Sequence, residues 1–145
     1  MSARLLIVDD EPEIREMLVR HFGMLGYDVS AAEHGKDALV RLSEKRFDVV
    51  ISDIMMPEMN GVELLQSIRA EYPMIHVIMI TGYVTLQNAL ACLGGGADTC
   101  IFKPLSDFKE LDDAVVAALE TLSRWQRKLQ ELQGMKPAKV EAPHG

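Results

Sequence analysis

Cysteine is scarce in this chain: Cys92 and Cys100 are the only two in 145 residues. Two thiols so placed build neither a disulfide framework nor a zinc site, and they favour a reducing compartment. Also missing is any apolar run near the ~18 residues that a membrane-spanning helix needs. The opening MSARLLIVDDEPE has a short apolar patch but turns acidic at once and lacks a small-residue cleavage site. It does not read as a signal peptide, so a cytoplasmic protein without membrane contact is expected. A basic excess is missing too. Asp and Glu number 22 against 15 Lys and Arg, a net charge of -7, which argues against a surface that tracks nucleic-acid phosphates.

What is present is the profile of one globular domain, 48% hydrophobic and 26% charged, with enough apolar material for a single core. The periodicity alternates. Arg4 to Val8 is a short apolar run of strand length, and Ile14, Met17, Leu18, Phe22 and Leu25 then recur at helical spacing up to Gly26. Strands are predicted over 27–32, 47–52, 76–80 and 99–102. Helices are predicted over 36–45, 61–72 and 85–93, with a last one from near Ser106. The pattern is βα five times over. Strands 1, 3 and 4 are continuously apolar, as strands buried on both faces of a parallel sheet should be. Ligands of such sheets bind beyond the carboxyl ends of the strands.

Those ends are rich in chemistry. Strand 1 runs into Asp9-Asp10-Glu11, strand 3 into Ser52-Asp53, strand 4 into Thr81-Gly82 and strand 5 into Lys103-Pro104. Any one of these acids alone reads as a turn former or helix cap. Together they converge on one rim, where carboxylates repel and need a counter-charge. A hard divalent cation supplies it, and Mg²⁺ fits because it prefers few carboxylates plus waters and phosphoryl oxygens. Lys103 adds a second positive charge. The cluster specifies a small, water-rich site for Mg²⁺ and a phosphoryl group.

The set Asp9-Asp10, Asp53 with Met56-Pro57 and Gly61, Thr81-Gly82, and Lys103-Pro104 resembles the receiver domain of bacterial two-component response regulators. The resemblance covers about residues 3–120. It implies a flavodoxin-like (βα)5 three-layer α/β sandwich of strand order 2-1-3-4-5. It further implies that Asp53 accepts a phosphoryl group from a phosphohistidine of a sensor histidine kinase or phosphotransfer protein. Asp10 and Asp53 would hold Mg²⁺ directly, the backbone carbonyl of Met55 would be a further ligand, and Asp9 would act through water. Lys103 would pair with Asp53 and then with a phosphoryl oxygen, Thr81 would hydrogen-bond another, and the Lys103–Pro104 bond would be cis. Such a domain is a switch with self-catalysed phosphotransfer, not a turnover enzyme, and its output is contact with a downstream protein effector.

Three departures from the family pattern stand out. The aromatic residue usual three positions before the lysine is Cys100, so the Thr-to-aromatic coupling is not expected, and the signal should be weaker or pass mainly through the Thr81 loop. A buried thiol there should be inert. Second, Met55 and Tyr83 occupy the positions that flank the phosphoryl group. Lacking a carboxylate or amide, they should position water poorly and leave phosphoryl-Asp53 long-lived. Third, Gly94-Gly95-Gly96 falls at the end of the sheet opposite the acids and reads as a helix stop and turn.

The last helix is longer than a receiver needs. No break appears from Ser106 to Gln133, and Phe108, Leu111, Val115, Ala118, Leu122, Trp125, Leu129 and Leu132 repeat at spacings of three and four. The first half can pack on the sheet. Leu122, Trp125, Leu129 and Leu132 are expected to lie past its edge, covered by the same helix of a second chain in a parallel coiled coil or helical dimer. The alternative is a helix that bends back onto its own domain or frays. The organisation expected is a receiver over 1–120, a helical extension over 121–133 and a tail over 134–145. The chain is then either a stand-alone receiver or one cut from a longer regulator or hybrid kinase. A phosphatase of similar fold would want a second carboxylate two residues after Asp53, where Met55 stands. A flavin carrier would want a Ser-, Thr- or Gly-rich loop after strand 1, where acids stand.

Overall fold

The computed structural model describes residues 2–82 and 85–135. Strands and helices alternate in the order β1 Arg4–Val8, α1 Pro12–Met24, β2 Asp28–Ala32, α2 Gly35–Glu44, β3 Val49–Asp53 and α3 Gly61–Glu71. Then follow β4 His76–Thr81, α4 Leu86–Gly94, β5 Thr99–Phe102 and α5 Lys109–Gln133. All neighbouring strands are parallel, in the order β2-β1-β3-β4-β5.

The apolar strands earn their central places by burial on both sides. Successive side chains of a strand point to opposite faces, and here each face has its own core. Leu6, Val8, Val50, Val77 and Met79 pack with Ala38 and Leu42 of α2, with Leu64, Leu65 and Ile68 of α3, and with Cys92 of α4. Their neighbours Leu5, Ile7, Val49, Ile51, Ile78 and Ile80 pack with Leu18 and Phe22 of α1 and with Leu111, Val115 and Ala118 of α5. Each fully buried aliphatic or aromatic side chain contributes about 1.5–3 kcal/mol, so the two cores hold the strand ends firmly in register. The two edge strands, β2 and β5, stay partly exposed along most of their length.

Local chemistry sets the helix ends. Asn60 and Glu63 form a reciprocal capping box at the start of α3: Asn60 Oδ1 accepts from the Glu63 N–H at 2.9 Å, and Glu63 Oε1 accepts from the Asn60 N–H at 3.1 Å. Gly26 follows α1 at φ 96°, and Gly96 follows α4 at φ 92°, both left-handed positions that glycine adopts without a Cβ penalty. The glycine triplet is thus a helix stop at the amino end of β5.

Three expectations need correction. Leu25 does not face the core: α1 ends at Met24, and Leu25 is 54% exposed as its C-cap. The last helix begins at Lys109, not near Ser106, where Asp107 Oδ1 accepts from the Lys109 N–H at 2.9 Å. And Leu122 is not past the sheet. It is 6% exposed, sharing a groove with Ala3, Arg4 and Asp48 beside the amino-terminal edge of β1 and β3. Because the strand ends and the preceding loop reach that far, coverage of α5 lasts one turn longer than expected. Beyond it, Trp125, Leu129 and Leu132 are 58%, 45% and 54% exposed.

Candidate functional site at the carboxyl edge of the sheet

Register brings the acids together. Val8 pairs with Ser52, Asp53 with Ile80, and Thr81 with Phe102, so the residues that end these strands reach one rim. Asp9, Asp53 and Thr81 are all buried there, whereas Asp10 is exposed. One carboxylate oxygen from each of Asp9, Asp10 and Asp53 lies within 4.8 Å of the others.

Lys103 closes the group. Its Nζ donates to Asp9 Oδ2 at 3.0 Å, to Asp53 Oδ2 at 2.9 Å and to Glu11 Oε1 at 2.9 Å. Burial by itself would lower the lysine pKa, but the hydrogen bonds to Glu11, Asp53 and Asp9 together hold it above the ordinary lysine value. Burial pushes the Asp9 carboxyl up; the Glu11 N–H, which donates to Asp9 Oδ1 at 2.9 Å, and the Lys103 ammonium oppose that only in part. Arg15 adds a further cation, its Nη1 donating to the Asp9 carbonyl at 2.7 Å.

The backbone around Asp53 is held just as closely. Met55 N–H donates to Asp53 Oδ1 at 3.3 Å, and Ser52 Oγ donates to the Asp53 carbonyl at 2.8 Å. A Cβ on Gly61 would overlap that same carbonyl oxygen and lie 2.6 Å from Met79 Cε, so only glycine lets the chain return to α3 here. The intervening loop is tied to the start of α2. His34 Nε2 lies 2.9 Å from Glu58 Oε2, while His34 Nδ1 accepts from the Asp37 N–H as the helix cap.

The donor set suits Mg²⁺. It is all hard oxygen, small, and more negative than one lysine offsets. Lys103–Pro104 is cis, and Lys103 N–H donates to the Thr81 carbonyl at 2.8 Å, which ties β5 to β4 at the rim. A Cβ on Gly82 would meet the Lys103 side chain at an ordinary 3.6 Å, so sterics do not require that glycine. Tyr83 lies outside the described residues. Met55 is 48% exposed beside the site. Cys100 sits away from the rim, half-buried against the α2–α4 core, and burial raises its thiol pKa; Phe102, on the same face of β5, is exposed.

Two contacts were not foreseen from the residues. Glu11 was visible only as the third acid after β1, with no sign that its carboxylate meets a lysine 92 positions later. Arg15 carried no signal beyond its place one turn into α1.

A parallel sheet of order 2-1-3-4-5 with acids and a lysine on its carboxyl rim is the CheY-like form of the flavodoxin fold. The chain belongs to the response regulator receiver domain family of two-component signalling, which matches residues 5–116. It is 38% identical over 120 residues to the regulatory protein AtoC of Escherichia coli K12, covering 83% of this chain and 26% of AtoC. It is 39% identical over 102 residues to the sensor histidine kinase RcsC of the same organism, covering 70% of this chain and 11% of RcsC. Among solved structures, the response regulator TrrA of Thermotoga maritima in complex with Mg²⁺-BeF superposes with a TM-score of 0.73 at 34% identity, covering 80% of this chain and 98% of TrrA. The chain thus spans about a quarter of AtoC and a tenth of RcsC.

Proposed function

We propose that Asp53 is the phosphoacceptor of a Mg²⁺-dependent switch. The observation that carries this reading is the shared placement of Asp53 with Lys103, at 2.9 Å, inside an acid cluster narrow enough for one cation. In the reaction a carboxylate oxygen of Asp53 attacks the phosphorus of a phosphohistidine on a sensor histidine kinase or phosphotransfer protein. The P–N bond breaks, and the imidazole leaves with the electron pair and takes a proton from solvent. Mg²⁺, when bound, offsets the charge of the transferring oxygens, the main demand of phosphoryl transfer. It would be held by Asp10 and Asp53, the Met55 carbonyl and, through water, Asp9. Lys103 binds one phosphoryl oxygen and Thr81 another. Hydrolysis of the acyl phosphate returns the Asp53 carboxylate and releases phosphate, so the domain resets and does not turn over an external substrate.

The experiment is incubation with Mg²⁺ and a small phosphodonor, read by intact-protein mass. Gain of one phosphoryl group, lost in Asp53→Asn and on chelation, supports the reading. Labelling that survives Asp53→Asn sinks it.

The partners we propose for this chain, in the cytoplasm, are a sensor histidine kinase or phosphotransfer protein and a downstream protein effector, not a membrane or nucleic acid. The exposed Trp125, Leu129 and Leu132 on one stripe of α5 support a homodimer through this helix, with 1–120 as receiver, 121–133 as joint and 134–145 as tail. Residues 136–145 lie outside the described part. The small share of AtoC and RcsC that the chain spans favours a second reading, a receiver piece of a longer regulator or hybrid kinase whose last helix leads to an effector domain.

A further inference from the structure

The loop between β3 and α3, from Ile54 to Asn60, carries the Met55 carbonyl proposed for Mg²⁺, and both its ends are fixed. Asp53 ends β3, and the Gly61 N–H donates to the Ile54 carbonyl at 2.8 Å. The middle of the loop is strained. Met59 N–H donates to the Pro57 carbonyl at 2.8 Å, closing a γ-turn around Glu58, whose φ is 66°. A γ-turn of positive φ is rare, and a central residue with a Cβ keeps it only where the surroundings hold it.

Those surroundings are the start of α2. Glu58 Oε2 lies 2.9 Å from His34 Nε2. His34 Nδ1 accepts from the Asp37 N–H at 3.2 Å, so that nitrogen presents its lone pair and the proton of the neutral ring sits on Nε2, which donates it to Glu58. A serine would cap α2 as well, but its hydroxyl would stop short of the loop. The imidazole does both. Beside it, a Cβ on Gly35 would lie 2.7 Å from the Met59 carbonyl oxygen, so the helix start and the turn pack backbone to backbone.

We infer that His34 is a positioning residue: it clamps Glu58 and so holds the loop in the conformation that presents the Met55 carbonyl to Mg²⁺. This rests on the reading of the rim as a Mg²⁺ site. Without the clamp the strained turn relaxes, only a fraction of the chains offer that carbonyl, and the apparent metal affinity falls by that fraction. The Glu58 side chain is 52% exposed, so the pair is partly solvated and the loss is modest, about two- to fivefold.

The test is calorimetric titration of the metal-free full chain with Mg²⁺. His34→Ser keeps the α2 cap and removes the reach. Glu58→Ala removes the acceptor but leaves a Cβ at the turn, and Glu58→Gln keeps an acceptor at the same reach without the charge. His34→Ser and Glu58→Ala should each bind Mg²⁺ about two- to fivefold more weakly than the native chain. The double variant should bind no more weakly than either, because one contact is lost in all three. Glu58→Gln should stay near the native affinity. Native affinity in both His34→Ser and Glu58→Ala overturns the inference and leaves the Mg²⁺ reading intact. A Glu58→Gln chain as weak as Glu58→Ala overturns it in favour of plain charge attraction, and losses that add in the double variant overturn it in favour of two separate effects. A native chain that binds no Mg²⁺ overturns the reading of the site, and the inference with it.

Discussion

Gly61 lies against the carbonyl oxygen of Asp53 with no room for a Cβ, and the same Cβ would stand 2.8 Å from Ile54 Cα. The residue that starts α3 thereby sets how the chain leaves the end of β3. Both atoms are backbone, which cannot move aside as a flexible side chain could.

Gly61→Ala is therefore expected to destabilise the domain by about 1–3 kcal/mol, the usual cost of overpacking. Urea denaturation checks it, and the variant should also accept phosphoryl more slowly as Asp53 shifts. An unchanged midpoint would mean that the loop yields freely.

The Asp9 carboxyl is pushed up by burial, so its folded pKa exceeds its unfolded one. A group raised in this way favours the folded state below the unfolded value, near 3.8, and that contribution is lost as pH rises through the folded value. At neutral pH the charged Asp9 thus opposes folding. Asp9→Asn should be more stable than the native chain at pH 7 in metal-free buffer, with the gain shrinking below pH 4. The Lys103 contribution has the same sign logic but a far higher window, since it is lost only in strong alkali. Thermal melts of the variant across that range, with a chelator present, would decide; equal stability at pH 7 contradicts the expectation.

Two leucines on one helix separate folding from assembly. Leu122 is buried and Leu129 is half-exposed. Leu122→Ala should cost about 2–5 kcal/mol of domain stability. Leu129→Ala should leave domain stability within about 0.5 kcal/mol, as surface changes do, and weaken self-association. Light scattering and denaturation of both variants provide the check. A native chain that stays monomeric at high concentration removes the proposed homodimer.

Met55 and Tyr83 carry no carboxylate or amide with which to orient water. The phosphoryl group on Asp53 should outlast that of the Met55→Asn, Tyr83→Glu double variant. Decay followed by intact-protein mass measures it, and a native half-life no longer than the variant's contradicts the expectation.

Much of this fold was readable along the chain because strand and helix periods are local. The acid-tipped run DVVIS-Asp53 reads as a buried strand with a polar end, and β3 runs through Asp53. The capping box of Asn60 and Glu63 that starts α3 is equally local, but apolar periodicity does not reveal it. Element ends were less readable where a side chain such as Asp107 decides them through one hydrogen bond. Leu122 is buried, contrary to expectation, and local spacing does not show that Ala3, Arg4 and Asp48, more than 70 positions away, share a groove with it.

By itself the sequence determined the alternation of strands and helices and the arrival of Asp9, Asp10, Asp53, Thr81 and Lys103 at strand ends. It could do so because apolar periodicity is written into neighbouring residues. Only the tertiary structure decided that Asp9 is buried while Asp10 is exposed, that Glu11 shares Lys103 with both buried acids, and that α5 is covered through Leu122. Those outcomes depend on register and on which distant surfaces meet, and no local spacing encodes them.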